Sequence, residues 1–345
     1  MGGHLPPVLA RARNAVRGTV REAGGNAGTL CLVACSGGAD SLALAATAAF
    51  LAHKGEVRAG AVVVDHGLQP GSADVAGRAA EQARSLGLDP VLVERATVRG
   101  NGTEDDARRA RYAAFESAAS RTGAAAVLLG HTLDDQAEQV LLGLGRGSGT
   151  RSLSGMPRAR GRYLRPFLGL RRADTEAICA HESLEYWEDP TNAERHATRN
   201  RVRLDVMPAL ESALGPGTAE ALARTAALAR EDADYLDRVA GAALRDALLP
   251  VTARGLSLSI PSLLGLDPAV RRRVLRSAVV LAGGEPPTFE RVSALGRLLE
   301  GSDSAGPVQL AGPVSAFRTR VRGPGGVSSA TLDLRPGADP RRPGR

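Results

Sequence analysis

A parallel α/β sheet with helices on both faces, followed by a smaller, mostly helical domain, is the fold class the sequence predicts. Three observations predict it. In the first half of the chain, apolar β-type runs alternate four times with alanine-rich helical stretches, and strand-then-helix units in series make a parallel sheet. The distinctive polar clusters all fall at the carboxyl ends of those strands, where ligands of such sheets bind. Finally, 345 residues, 43% of them hydrophobic and 23% charged, suffice for two domains with proper cores.

In chain order, residues 1–28 read as a helical lead-in. "TLCLVAC" is the first strand, and a helix follows from about Ser41 to His53. "RAGAVVVDHG" precedes a helix across "GSADVAGRAAEQARSLG", and "PVLVERATV" precedes one across "TEDDARRARYAAFESAASRTG". "AAAVLLGH" then leads into "TLDDQAEQVLLGLG". Residues 29–213 form this first domain, and "LGPGT" (Leu214–Thr218) is a linker. Residues 219–330 form the second domain. It opens with the long amphipathic run "AEALARTAALAREDADYLDRVAGAALRDAL" and closes on strand-like runs in "GPVQLAGPVSAFRTRVRG". Residues 331–345, ending "GADPRRPGR", are expected to be a disordered tail.

The net charge of +7 and pI of about 10.1 point to a polyanionic partner such as nucleic acid. Lys54 is the only lysine, so the positive charge is arginine, whose planar fork suits phosphate. Aromatics make up 3%, too few for a surface built on stacking rings. Cys31, Cys35 and Cys179 are odd in number and show no C-x-x-C, which argues against a disulfide framework and a cysteine zinc site. The longest mostly apolar stretch, "LALAATAAFLA", is too short to span a bilayer, so the cytoplasm is the expected compartment and no membrane is expected as partner.

"SGGADS" (Ser36, Gly37, Gly38, Ala39, Asp40, Ser41) joins the first strand to its helix. It is either a tight turn or a phosphate cradle, because glycine admits a close ligand and a helix start favours an anion. A Walker loop is excluded: it needs a lysine after the glycine. Asp65 and His66 close the second strand, either as turn residues or as nucleotide contacts. In "HTLDDQAE", Thr132 and Asp135 have capping-box spacing, yet capping leaves His131, Asp134 and Glu138 unexplained. An acidic helix entry suits a metal bound to pyrophosphate, or an incoming ammonium group. Arg108, Arg111 and Tyr112 lie within one helical turn, and eight arginines fall between Arg146 and Arg172, including Arg165. "DPTN" reads as a turn at Asn192, and Arg199, Asn200, Arg201 and Arg203 form a basic strip that is either plain surface or a phosphate contact.

SGGADS resembles the pyrophosphate loop of the PP-loop ATP pyrophosphatases, a Rossmann-like fold. Together SGGADS, VDHGL, A-R-x-x-R-Y, HTLDDQAE, RGSG, RPFL, DPTN and RNRVR, in this order, resemble the tRNA(Ile)-lysidine synthetase family. The resemblance continues more weakly into "VQLAGPVSAFRTR", and the further C-terminal domain of longer members is expected to be missing. It implies a ligase that adenylates the wobble cytidine of the CAU anticodon of tRNA(Ile) with ATP and then joins free lysine to it, releasing AMP and pyrophosphate.

The resemblance also implies roles for the residues. Ser36 to Ser41, with Asp65 and His66, would bind ATP, and Asp40 and Asp135 would hold Mg2+. His131, Asp134, Asp135 and Glu138 would hold lysine and take its proton, and Arg108 and Arg201 would stabilise the anionic intermediate. Arg111, Arg146, Arg165, Asn192, Arg199, Asn200 and Arg203 would contact tRNA. A homodimer stays open. The rival readings are a PP-loop tRNA 2-thiolation enzyme and a non-catalytic nucleotide- or RNA-binding module.

Overall fold

The computed structural model describes residues 6–65, 67, 71–96, 104–147, 149–250, 255–301, 307–322 and 328–336, and the chain divides into two compact units, 1–227 and 228–345. None of the described helices is long and apolar enough to cross a membrane.

The first unit is the expected parallel sheet. Helix α1 (Pro7–Glu22) leads into β1 (Leu30–Ala34), α2 (Ala39–His53), β2 (Arg58–Asp65), α3 (Ser72–Ser85), β3 (Val91–Arg95), α4 (Glu104–Thr122), β4 (Ala126–Leu128) and α5 (Leu133–Gly145). The short α6 (Thr150–Leu153), β5 (Ala159–Arg160) and β6 (Tyr163–Leu164) follow. Then come α7 (Arg172–His181), α8 (Thr198–Arg201) and α9 (Met207–Leu214). The strand order is β3-β2-β1-β4-β6-β5, parallel throughout except that β5 runs antiparallel to β6.

After β1 the chain steps outward to β2 and β3, and after β3 it returns to the other side of β1 as β4. The order therefore reverses between β1 and β4, and the crevice at such a reversal is where ligands of open α/β sheets bind. "LALAATAAFLA" is apolar all round, and α2 is accordingly buried from Ser41 to Ala49. It packs with α1, whose Leu9, Ala12, Val16 and Val20 form one stripe, and with Ile178 and Cys179 of α7. Helix α2 begins two residues earlier than expected, at Ala39.

The long run after the linker is one helix, α10 (Thr218–Ala247), and the division between units falls inside it. Within the first unit, Ala219 packs with Leu133 and Ala137. The second unit continues with β7 (Leu256–Ser259), α11 (Ile260–Leu264), α12 (Pro268–Leu281), α13 (Phe289–Glu300), β8 (Val308–Gln309), β9 (Val314–Arg322) and β10 (Ser328–Pro336). Its antiparallel sheet, β7-β10-β9-β8, makes it a mixed unit in which helices are only part.

The expected disordered tail is corrected at its start. Residues 331–336 belong to β10, where Thr331 pairs with Thr319 and Leu334 with Ala316. "TLDLRP" alternates, so Leu332 and Leu334 point inward and are fully buried; the polar composition downstream obscured that period-two pattern. The rest of that tail lies outside the described residues.

Candidate active site

The turn between β1 and α2 is held from three sides. Gly37 has φ +84, which glycine tolerates and a side chain resists, and its carbonyl accepts the Trp187 N–H at 2.9 Å. The Ser41 hydroxyl donates to the Gly38 carbonyl at 2.9 Å and accepts the Ser36 N–H at 3.1 Å, with the Ser36 hydroxyl 3.2 Å away. Behind the turn, a methyl at Gly130 would come within 3.0 Å of the Asp40 carbonyl oxygen, so the end of β4 and the start of α2 meet backbone to backbone. The Ser41 and Leu42 N–H groups bond to the Gly38 carbonyl, at 3.1 and 3.0 Å, which leaves those of Ala39 and Asp40 as the helix-start donors suited to an anion.

Asp40 and the acidic start of α5 come together at this point. Asp135 uses its two oxygens differently. Oδ2 accepts the Thr132 N–H at 2.8 Å and completes a capping box, while Oδ1 takes Arg199 Nη2 at 2.9 Å and Arg203 Nη2 at 3.4 Å. Glu138, 2% exposed, takes Arg203 Nε at 2.6 Å and Arg199 Nε at 2.8 Å. Arg172 lies between the acids, with Nε 3.7 Å from Asp40 Oδ2 and Nη2 3.6 Å from Asp135 Oδ1. The structure thus joins the glycine turn and the acidic cluster through one guanidinium.

Asp134 turns away from this group. It holds the start of α7 through the Arg172 N–H at 2.7 Å and Arg171 Nε at 3.1 Å, and Arg171 reaches Glu220 at 2.7 Å.

The electrostatics follow from burial. Burial, reinforced by the charge of Asp135, pushes the Asp40 carboxyl up, against the opposing pull of Thr175 and Arg172. Burial would also raise Asp135, but Arg199, His131, the Thr132 backbone and Arg172 hold it below the usual carboxylate range. Burial and the nearby Arg165, Arg199 and Arg108 push His131 down to about 4, so its imidazole is neutral at physiological pH, and its buried Nδ1 has no hydrogen-bond partner. Arg165 is itself 4% exposed, donates to the Pro157 carbonyl at 3.0 Å and leaves Nε unpaired. Arg108 lies over the Tyr112 ring, 5.0 Å from its centroid, and donates to the phenol at 3.3 Å.

The remaining expected residues are dispersed. Asp65 accepts the Gly67 N–H and the Ser72 hydroxyl and so fixes the turn into α3; His66 lies outside the described residues. Arg111, Arg146 and Asn192 are exposed. Asn200 ties the turn together by donating to the Thr191 and Glu194 carbonyls, both at 2.8 Å. Arg201, expected beside the intermediate, instead donates to the Arg195 and His196 carbonyls and the Thr198 hydroxyl on the exposed side. The physical reason is helical phase: Arg199 and Arg203, four residues apart, share the face that meets the acids, and Arg201, midway between them, falls on the other side.

Three site residues, Thr175, Trp187 and Gln136, escaped the sequence reading, and Arg172 entered it only as the last of a run of arginines. Thr175 sits in α7, a segment that no sequence motif singled out. Trp187 acts through its backbone, which no side-chain pattern reports. Gln136 makes paired bonds to Met156, accepting its N–H at 2.6 Å and donating to its carbonyl at 2.9 Å. A cleft of about 440 Å³ beside Gly37, lined by Val75, Arg78 and Gln82 of α3 and by Tyr186 and Trp187, adjoins the turn on its outer face.

A family model described as a PP-loop domain matches residues 13–210, and one described as the TilS substrate binding domain matches residues 258–322. A tRNA(Ile)-lysidine synthase of Leifsonia xyli subsp. xyli is 52% identical over 286 residues, covering 83% of this chain and 86% of that relative. One of Streptomyces coelicolor is 53% identical over 298 residues, covering 84% and 83%. Among solved structures, the U34-tRNA thiolase NcsA from Methanococcus maripaludis superposes with a TM-score of 0.52 over 64% of this chain and 78% of that one; at 17% identity it shares the fold alone. A PP-loop domain over more than half of the chain, the separate match in the second unit and identity near 50% over most of the length agree: the chain belongs to the tRNA(Ile)-lysidine synthase family.

Proposed function

We propose that this chain is a carbon–nitrogen ligase that converts the wobble cytidine of the CAU anticodon of tRNA(Ile) to lysidine, using ATP and free lysine in the cytoplasm. The cytidine ring carbonyl oxygen attacks the α-phosphorus of ATP, and the bond to pyrophosphate breaks. The lysine side-chain amine then attacks the activated ring carbon, and AMP leaves with the carbonyl oxygen. The observation that carries this reading is Arg172 between Asp40 and Asp135: the phosphate turn and the acidic corner are one site.

In this reading the backbone from Ser36 to Ser41 cradles the phosphates. Mg2+, when bound, offsets the charge of the departing pyrophosphate. Asp40 fits it: Oδ1 is engaged by Thr175, Oδ2 accepts no hydrogen bond among the described residues, and the neighbouring Asp135 charge favours a cation there. Asp135 fits it less well, because both its oxygens are already committed. Asp135 and Glu138 attract the lysine ammonium, which competes for them with Arg199 and Arg203. His131, neutral and with a free nitrogen, is the candidate for taking the proton that makes the amine nucleophilic. Arg108 and Arg165 stabilise developing negative charge.

A thiolation enzyme that uses a cysteine needs an accessible thiolate. Here Cys31, Cys35 and Cys179 are buried, and burial pushes Cys31 up to about 11 and Cys179 up to about 12. The test is mass analysis of tRNA nucleosides after incubation with ATP and isotope-labelled lysine. Label is expected in the wobble nucleoside of tRNA(Ile) with a CAU anticodon and in none from a G-wobble variant. A sulfur-bearing nucleoside, or no modified nucleoside at all, would overturn the proposal.

A further inference from the structure

We infer that Thr175 is a positioning residue for Asp40: it pins one carboxylate oxygen and leaves the other free to meet a cation carried by the ATP phosphates. The inference rests on the reading of Asp40 given above.

Helix α7 turns one face to the start of α2. Arg172, Thr175 and Cys179, at spacings of three and four, point the same way. The Arg172 guanidinium lies by Asp40 Oδ2, the Thr175 hydroxyl is 2.5 Å from Asp40 Oδ1, and the Cys179 thiol is 3.3 Å from the Ala39 carbonyl. Thr175 is fully buried, and its β-branched side chain has few rotamers in a helix, so the direction of its hydroxyl is set by the backbone.

That hydroxyl also lies 2.7 Å from the Arg172 carbonyl, the usual acceptor for a helical threonine. It has one proton for two acceptors, and the bond to an ionised carboxylate is the stronger. With Oδ1 held, Asp40 cannot rotate freely, and Oδ2 lies 3.7 Å from Arg172 Nε, beyond hydrogen-bonding range. A hard cation that keeps most of its ligands from phosphate and water needs one such fixed oxygen. Thr175 is one of three buried residues of α7, and the other two, Ile178 and Cys179, belong to the apolar core. Threonine is therefore the unusual choice there, and valine would fill the same space without the hydroxyl.

The experiment compares the full-length chain with Thr175→Val and Thr175→Ser, reading Mn2+ binding in the presence of ATP from the paramagnetic resonance of free Mn2+. ATP binding itself is followed by the fluorescence of Trp187, the single tryptophan. Thr175→Val is expected to weaken Mn2+ binding about tenfold, as the loss of one charge-assisted bond would. Thr175→Ser, which keeps the hydroxyl, is expected to stay within about twofold on the same scale. In an Asp40→Asn background the valine change should have no further effect. If a melting curve shows that Thr175→Val does not fold, Thr175→Ala takes its place in the same comparison. Unchanged Mn2+ binding in the hydroxyl-less variant, or an equal loss with and without the Asp40 carboxylate, overturns the inference. Failure to form lysidine by the unsubstituted chain would instead strike the proposed reaction, a separate readout from Mn2+ binding.

Discussion

At Asp135 one carboxylate serves the fold and the site at once: Oδ2 closes the capping box of α5 while Oδ1 meets three arginines. Arg172 extends that arrangement to Asp40. Replacing it, as Arg172→Met, leaves two neighbouring carboxylates, Asp135 buried and Asp40 half-buried, without the cation between them. Pyrophosphate release in the presence of tRNA should then fall by about a hundredfold, the scale of one lost electrostatic contact in an active site, and activity near normal would contradict the bridging role. His131 gives a pH test. Its folded value of about 4 lies below the ordinary 6.5, so the unfolded chain binds the proton first. Stability contributed by the neutral ring is therefore complete above about 6.5 and lost as pH falls toward about 4, amounting to about 3 kcal/mol. The difference in unfolding free energy between the parent chain and His131→Gln should change across that window and be flat above it; a flat difference throughout would show the ring to be solvated. His131, Asp135 and Glu138 were legible because chemistry-bearing residues crowd one short run. Arg172, Thr175 and the true facing of Arg199 and Arg203 were not, since they depend on which helices abut the turn and the acidic corner, a tertiary outcome that periodicity does not report.

Among the elements, the crevice depends on how closely β4 approaches α2. Gly130→Ala would place a methyl against the Asp40 backbone, where neither element can yield without moving the phosphate turn. The expected outcome is a raised KM for ATP, by about tenfold, with folding retained at a cost of 1–3 kcal/mol, roughly the range for overpacking; unchanged ATP kinetics would show that the turn has slack. Thr132→Ala removes the cap of α5 and should lower stability by about 1 kcal/mol in denaturant unfolding. The helices and strands that carry the site were readable because α2 is continuously apolar and the four strands are bounded by turn residues. The two-residue strands β5 and β6 were not, because the pairing of β6 with β4, and of β5 with β6, is a tertiary outcome of an arginine-rich stretch that has no strand period of its own.

Over the whole molecule, the PP-loop match falls in the first unit and the substrate-binding match, over residues 258–322, in the second. With a net charge of +7 supplied almost wholly by arginine, tRNA affinity should fall roughly a hundredfold between about 50 and 200 mM salt; a shallow dependence would mean that few phosphates are contacted. The central claim is that the turn after β1 and the acidic start of α5 form one reaction site. A crystal structure of the chain with a non-hydrolysable ATP analogue tests it most directly. The account predicts the phosphates against Ser36 to Ser41, with Asp40, Arg172 and Asp135 around them; a nucleotide seated elsewhere, or phosphates turned away from Asp135, would contradict it.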